Sequence, residues 1–333
     1  MSEQTDTNSP SGFRRMMSGS VGRNLGLVVA LLAIVVVGSV TSPNFLDLGN
    51  VLVILRQASI IGVISIGMTL VIIAGGIDLS VGSVMGLASV AATIAVVQDV
   101  VRDTHWIVIV LVALAVGVAA GLINGIVIAY GNVAAFMATL AMLVAARGLA
   151  EILAERRTLV VGDRDFLAFM NLDILGVDIL IWIFAIVAAL GWVLLNRTTF
   201  GRRTVAIGGN REAARLAGIN VKRHTMWLYA LVGLTAGIAG VMILGRTTAG
   251  SSTNGQLYEL DAIAAVVVGG TLLIGGRGTI TGTVFGVLIF ATLTNVFVQN
   301  NMVSSVQAVA KGVIIVVAVL LQQRFAKPAG RSS

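Results

Sequence analysis

The sequence predicts an all-α polytopic membrane protein: about ten transmembrane helices, some broken at glycine, a short helix in a charged cytoplasmic loop, and both termini in the cytoplasm. Three observations lead there. Of 333 residues, 57% are hydrophobic and 11% charged, where a soluble domain carries roughly 25% charged residues. The apolar residues gather in stretches close to the roughly 17–25 residues that a bilayer-crossing helix needs. The basic residues collect at the ends of those stretches and in one segment, 196–224 (NRTTFGRRTVAIGGNREAARLAGINVKRH), which holds seven of the 22 Lys and Arg.

Glycine is abundant, at 39 residues, and the three prolines (Pro10, Pro43, Pro328) lie outside the apolar stretches. Any break in a membrane helix therefore falls to glycine. The formal charge of +7 does not mark a nucleic-acid surface, because the basic residues sit at helix ends; the positive-inside rule accounts for them. Without cysteine, disulfide and thiolate chemistry are excluded.

Residues 1–24 are Ser/Thr/Asn/Gly-rich and carry Arg14, Arg15 and Arg23, which predicts a disordered cytoplasmic tail. The apolar run that follows resembles a secretory leader, yet no small-x-small cleavage site precedes Pro43, so it is read as a retained span. The stretches segment as 25–42, 51–74, 79–97, 106–130, 134–154, 179–195, 224–244, 260–274, 281–298 and 306–322, making 25–322 one membrane domain and 323–333 a second cytoplasmic tail. The basic bias places 196–224 inside. The segment 155–178, with Asp163, Asp165, Asp173 and Asp178, falls outside, either as a docking surface for an external partner or as a plain solvated loop.

Two stretches align without gaps: GGIDLSVGSVMG (75–86) over GGRGTITGTVFG (275–286), with similar endings downstream, Val97-Gln98-Asp99 and Val298-Gln299-Asn300. Matching glycine interruptions in the halves of a transporter point to a substrate pathway. The span count makes the two copies parallel, and one span more or less would invert them. The plainer reading is that small residues let helices pack closely.

Asp78 is the costliest residue, at about 2.5–3.5 kcal/mol or more for a carboxylate at bilayer depth. Asp78 or Ser80 would cap the helix restarting after Gly75-Gly76, or would border a polar cavity. Arg147 and Glu151, four apart, are expected to pair across a helical turn. Arg56 and Lys311 are expected to snorkel to an interface. Gln57, Asn124, Thr139 and Asn295 either join helices or line a path. No Gly-Lys pair exists, so the phosphate-cradling GxxxxGK[ST] loop is absent. His105 and His224 stand apart with no HExxH, no aspartate-rich pair offers a Mg²⁺ site, and no G-x-S-x-G nucleophile occurs, so neither metal nor cofactor is expected in this chain.

Three stretches together, GMTLVIIAGGIDLSVGSVMGL (67–87), AIGGNREAARLAGINVKR (206–223) and AVVVGGTLLIGGRGTITGTVFGVLIF (265–290), resemble the ribose and monosaccharide family of ABC importer permeases, a likeness running from about Asn50 to Leu321. The resemblance implies a homodimer of ten-helix subunits in the bacterial inner membrane. It also implies a separate cytoplasmic ATPase holding the ATP and Mg²⁺, and an extracytoplasmic sugar-binding protein. Within its EAA-x3-G coupling motif fall Glu212, Ala213, Ala214 and Gly218, flanked by Asn210 as a helix cap and Arg211. The expected substrate pathway, read from the glycine breaks and the polar residues within the spans, uses Gly75, Gly76, Asp78, Ser80, Asn124, Gly275, Gly276, Thr279 and Asn295. Other readings stay open: a branched-chain amino acid or nucleoside as cargo, a gradient-driven carrier, for which Asp78 is the one central carboxylate, or a membrane enzyme, for which no catalytic constellation is found.

Overall fold

Glycine pairs and polar turns divide the long apolar sequence into helices of unequal length. In the computed structural model, which describes residues 20–326, these are α1 (Ser20–Thr41), α2 (Leu48–Ile73), α3 (Val81–Ala91), α4 (Ala95–Asp103), α5 (Ile107–Ala129), α6 (Ala135–Leu153), α7 (Arg164–Met170), α8 (Ile179–Arg197), α9 (Thr199–Gly209), α10 (Arg211–Leu216), α11 (Val221–Thr247), α12 (Tyr258–Val268), α13 (Ile280–Gln299) and α14 (Ser304–Ala326). Two short antiparallel pairings accompany them: β1 (Leu159–Val160) with the distant β4 (Ala249–Gly250), and the hairpin of β2 (Asp173–Ile174) with β3 (Val177–Asp178). Most of the expected tail 1–24, and residues 327–333 of the other, lie outside the described residues.

Among the described residues, six helices (α2, α5, α6, α8, α11 and α13) are long and apolar enough to cross a bilayer, and α3 with α4 make a seventh passage if counted together across their 55° bend. Two expected spans are corrected. The stretch 79–97 is not one straight helix but the bent pair α3–α4. The stretch 260–274 stops being helical at Val268, where Gly269-Gly270 intervenes, and Gly270 takes a left-handed φ of 87°.

The core is built on α2 and α11. Every residue of α2 from Ala58 to Ile73 is buried, and α11 is buried along most of its length. Such helices, apolar all round, leave glycine to set how near they approach. Gly117, Gly121 and Gly125 of α5 lie against Gly233, Gly237 and Met226 of α11, where a Cβ at Gly125 would sit 2.7 Å from the Met226 Cα. The two repeat stretches use their equivalent glycines on one target. Gly82 and Gly86 of α3 press on Gly255, Glu259 and Asn254 at the start of α12, while Gly282 and Gly286 of α13 press on Gly269 and Ala265 at its end.

Two charged residues depart from expectation, and a third, Arg56, finds a partner not foreseen. Arg147 does not pair with Glu151: its guanidinium donates to the carbonyls of Ser252 and Asn254, which otherwise lack donors there, and Glu151 faces Arg156 at 3.8 Å. Lys311 does not snorkel but meets Asp261 at 3.1 Å, both half-sheltered. Arg56 reaches the buried carboxylate of Asp178 at 2.7 Å, while Asp178 also accepts from the Leu180 amide to cap α8.

Replacing Gly233 with alanine drives a methyl group into the Gly117 carbonyl. Such overpacking costs about 1–3 kcal/mol. The detergent-solubilised Gly233→Ala protein should therefore unfold at a clearly lower temperature in a fluorescence-monitored melt. Gly148→Ala, where nothing lies within 4 Å, should melt like the unaltered protein.

Candidate functional site

The charged segment 196–224 folds as two helices rather than a loop with one. Thr198 accepts from the Gly201 amide at 3.3 Å and starts α9; Asn210 both ends α9 and caps α10, accepting from the Ala213 amide at 2.9 Å. Gly218 closes α10 at φ +82°, the left-handed conformation that lets its own amide and that of Ile219 return to the Arg215 and Ala214 carbonyls. Ala214 is buried with Ile207 and Val221. Glu212 and Arg215 stay exposed and pair at 2.5 Å, and the Arg215 hydrogen bond holds the Glu212 carboxyl below the usual carboxylate range. Leu216, 76% exposed, stands beside them.

α9 delivers a glycine to a backbone node inside the protein. Gly75 and Gly275, at φ +81° and +87°, turn the chain after α2 and before α13. A Cβ on Gly275 would sit 2.9 Å from the Gly75 nitrogen and 3.1 Å from the Gly208 oxygen. The Gly276 amide donates to the Ile73 carbonyl at 2.8 Å, and Gly208 packs directly on that carbonyl, leaving no room for a side chain. The two glycine pairs of the repeat thus meet each other and the end of α9. His224 of α11 ties α9 down from the side through Thr204, at 2.9 Å, and stacks near Phe200.

The chain leaving this node is held by polar side chains. Asp78 accepts from the Ser80 amide (2.8 Å) and hydroxyl (2.6 Å), Asn124 of α5 donates to the Ser80 hydroxyl at 2.9 Å, and the Tyr229 hydroxyl donates to the Ile77 carbonyl at 3.2 Å. Asp78, Ser80 and Asn124 are all buried. Asp78 therefore orders the turn before α3, and neither it nor Ser80 caps the helix amides themselves. Thr279 does cap α13, accepting from Gly282 at 3.1 Å. Asn295 lies elsewhere, locked with Asn50 and Gln299 between α2 and α13.

Beside the node opens a cavity of about 450 Å³, bordered by Gly75, Gly76, Asn132, Arg211, Thr225 and Tyr229 among others. Of the pathway residues expected from the sequence, Gly75 and Gly76 border it, whereas Asp78, Ser80, Asn124, Gly275, Gly276, Thr279 and Asn295 do not. Gly208 and Tyr229 went unrecognised in the sequence. Gly208-Gly209 repeats the dipeptide of 75–76 and 275–276, a signal that was available; nothing local marks Tyr229.

The family described as branched-chain amino acid transport system / permease component matches residues 50–321. The chain is 38% identical over 296 residues to the ribose import permease protein RbsC of Haemophilus influenzae, covering 88% of this chain and 90% of that one. Against the Bacillus subtilis protein of the same name it is 40% identical over 313 residues (93% and 96%). Against the L-arabinose transport system permease protein AraH of Escherichia coli it is 35% identical over 322 residues (94% of each). No solved structure matches the chain.

Because the Ile73 carbonyl occupies the space that a methyl group on Gly208 would need, Gly208→Ala should loosen the Gly276–Ile73 hydrogen bond. Hydrogen exchange should then speed up by about tenfold or more in the peptide spanning 273–278, as local opening becomes easier. Gly209→Ala, whose Cβ meets open space, should leave that exchange unchanged.

Proposed function

The chain belongs to the ABC-importer permease family described as branched-chain amino acid transport system / permease component, in its ribose and monosaccharide branch, and from that premise we propose that it imports a monosaccharide. It is read as the membrane-spanning subunit of an ATP-driven importer that moves a pentose, hexose or related polyol by alternating access. The ATP is hydrolysed on a separate cytoplasmic subunit. A second copy of the chain and an extracytoplasmic sugar-binding protein complete the assembly. The relatives with named cargo carry ribose or L-arabinose in their names, which supports a sugar over the branched-chain amino acid of the family description.

The observation that carries the coupling half of this reading is the two-sided build of α10. Its buried Ala214 anchors it to α9 and α11, while Glu212, Ala213 and Leu216 face outward. An exposed pair such as Glu212–Arg215 adds little to stability, so the outward face is free to serve a partner. In the proposed cycle the ATPase grips α10, and the displacement passes through the shared Asn210 to Gly208 at the adjoining end of α9 and on to the Gly75/Gly275 node. Asn210, Glu212, Ala213, Ala214 and Gly218 make the coupling element, with Arg211 beside them at the cavity; the node, the Asp78–Ser80–Asn124 cluster and the Thr279 cap make the hinge of the pathway.

Ten bilayer passages fit this arrangement: α1, α2, α3–α4, α5, α6, α8, α11, α12 with the extended 269–279, α13 and α14. The β1–β4 pairing joins 159–160 to 249–250, and the node joins 73–76, 208–209 and 275–276. Both fit an alternation in which the first group lies outside and the second inside. A ligand or partner shifts such a two-state body only by its differential affinity for the two states.

The test is reconstitution in liposomes with the cognate ATPase and binding protein. Uptake of ribose or L-arabinose should require ATP, and leucine should not be taken up. Glu212→Ala should cut both uptake and binding-protein-stimulated hydrolysis by about tenfold, within the usual range of inter-site coupling, while insertion is unaffected. Uptake driven by a proton or sodium gradient without the ATPase would sink the reading.

A further inference from the structure

The cavity beside Gly75 and Gly76 draws its walls from the bundle, with one exception. Val71, the glycine pair, the turn at 132–135, and Thr225, Leu228 and Tyr229 belong to the membrane-buried body; Arg211 belongs to α10. It is also the single charged residue in that wall, and among the described residues it forms no ion pair. Arg211 is the first residue after the Asn210 cap and stands at the cavity rim with its side chain exposed, while Glu212 and Arg215 pair with each other. The sequence motif groups Arg211 with the coupling residues; the fold sets it, still exposed, at the rim of the cavity.

A guanidinium is a planar fork of five donors with no acceptor, and it stays charged at any working pH. Set across a cavity mouth, it suits hydroxyl oxygens and backbone carbonyls and repels ammonium groups. Arg211 is the one residue of α10 in the cavity wall. Any displacement of α10 therefore changes the cavity wall at once.

We propose that Arg211 is the inner gate of the permeation path: its guanidinium closes the cavity beside Gly75-Gly76, engages the hydroxyls of a departing neutral polyol, and is withdrawn when α10 is displaced. The proposal rests on the importer reading and adds to it a residue that joins the coupling helix to the solute. Arg211 thus does not belong to the surface that the ATPase grips.

The chain contains no cysteine, so Thr225→Cys places a single thiol in the cavity wall at a position 8% exposed. In inverted membrane vesicles, a membrane-impermeant maleimide should label it slowly. Adding Arg211→Gln should raise the labelling rate about tenfold, as an open state populated at a tenth or less becomes dominant, and Arg211→Lys should restore slow labelling. Should the glutamine variant fail to accumulate, Arg211→Met, which keeps length and removes the donors, serves in its place. An unchanged labelling rate overturns the gate. In the full complex, Arg211→Gln should preserve hydrolysis stimulated by the loaded binding protein while lowering solute accumulated per ATP; a parallel loss of both would assign Arg211 to the ATPase contact and overturn the proposal. Labelling uses neither ATPase nor solute, so a wild-type complex that fails to take up sugar counts against the importer reading alone.

Discussion

A backbone amide or carbonyl freed inside a bilayer has no water to turn to, and each one left unpaired costs several kcal/mol. The Gly276–Ile73 hydrogen bond answers that constraint. Breaking α2 at Gly75 and the α12–α13 connection at Gly275 exposes backbone on both sides, and the two breaks meet so that one satisfies the other. Only glycine permits the approach, because a Cβ at Gly275 or Gly208 would stand within van der Waals distance of backbone atoms across the node. The internal repeat is thus a matched pair of openings rather than a record of duplication alone.

The same logic governs the rest of the bundle at lower cost. In a membrane there is little hydrophobic gain from bringing helices together, so close packing and hydrogen bonds hold them. Glycine rows of α5 on α11, of α3 on the start of α12 and of α13 on its end bring backbone against backbone. The polar side chains fall where those rows stop: Asn124 on Ser80, Asn295 on Asn50, Arg147 on the 252–254 carbonyls. Arg147 shows how the sequence misleads here. Glu151 lies one turn away, but uncapped carbonyls in the turn before α12 compete for the same donors, and the local pair gives way to a tertiary contact.

Helices longer than about 19 residues were legible because hydropathy and period agree: 106–130 became Ile107–Ala129 and 134–154 became Ala135–Leu153. The failures have a common physical cause. A hydropathy window counts Gly269-Gly270 as neutral and reads through it, while the left-handed φ at Gly270 ends the helix. In 79–97 the bend follows from Gln98, whose amide bridges the Thr93 and Val160 carbonyls and the Gly162 amide; that loop is some sixty residues away in sequence, beyond any local signal. The short helix after Asn210 was legible, because its cap and the glycine that follows it are local chemistry.

The charged segment, finally, earns its length through rigidity. A flexible loop between α8 and α11 would absorb a push at its tip. Here α9 and α10 share Asn210, which ends one helix and caps the next, leaving no slack between them. The Thr204–His224 bond and the Ile207–Ala214–Val221 cluster fix the pair to the foot of α11. The end of α9 that adjoins Asn210 carries Gly208, seated on the Ile73 carbonyl without an intervening side chain. A force applied at Glu212 or Leu216 meets only helix, cap and backbone contact before it reaches the two glycine breaks, so the parts able to yield are those breaks, where left-handed glycines allow the chain to turn.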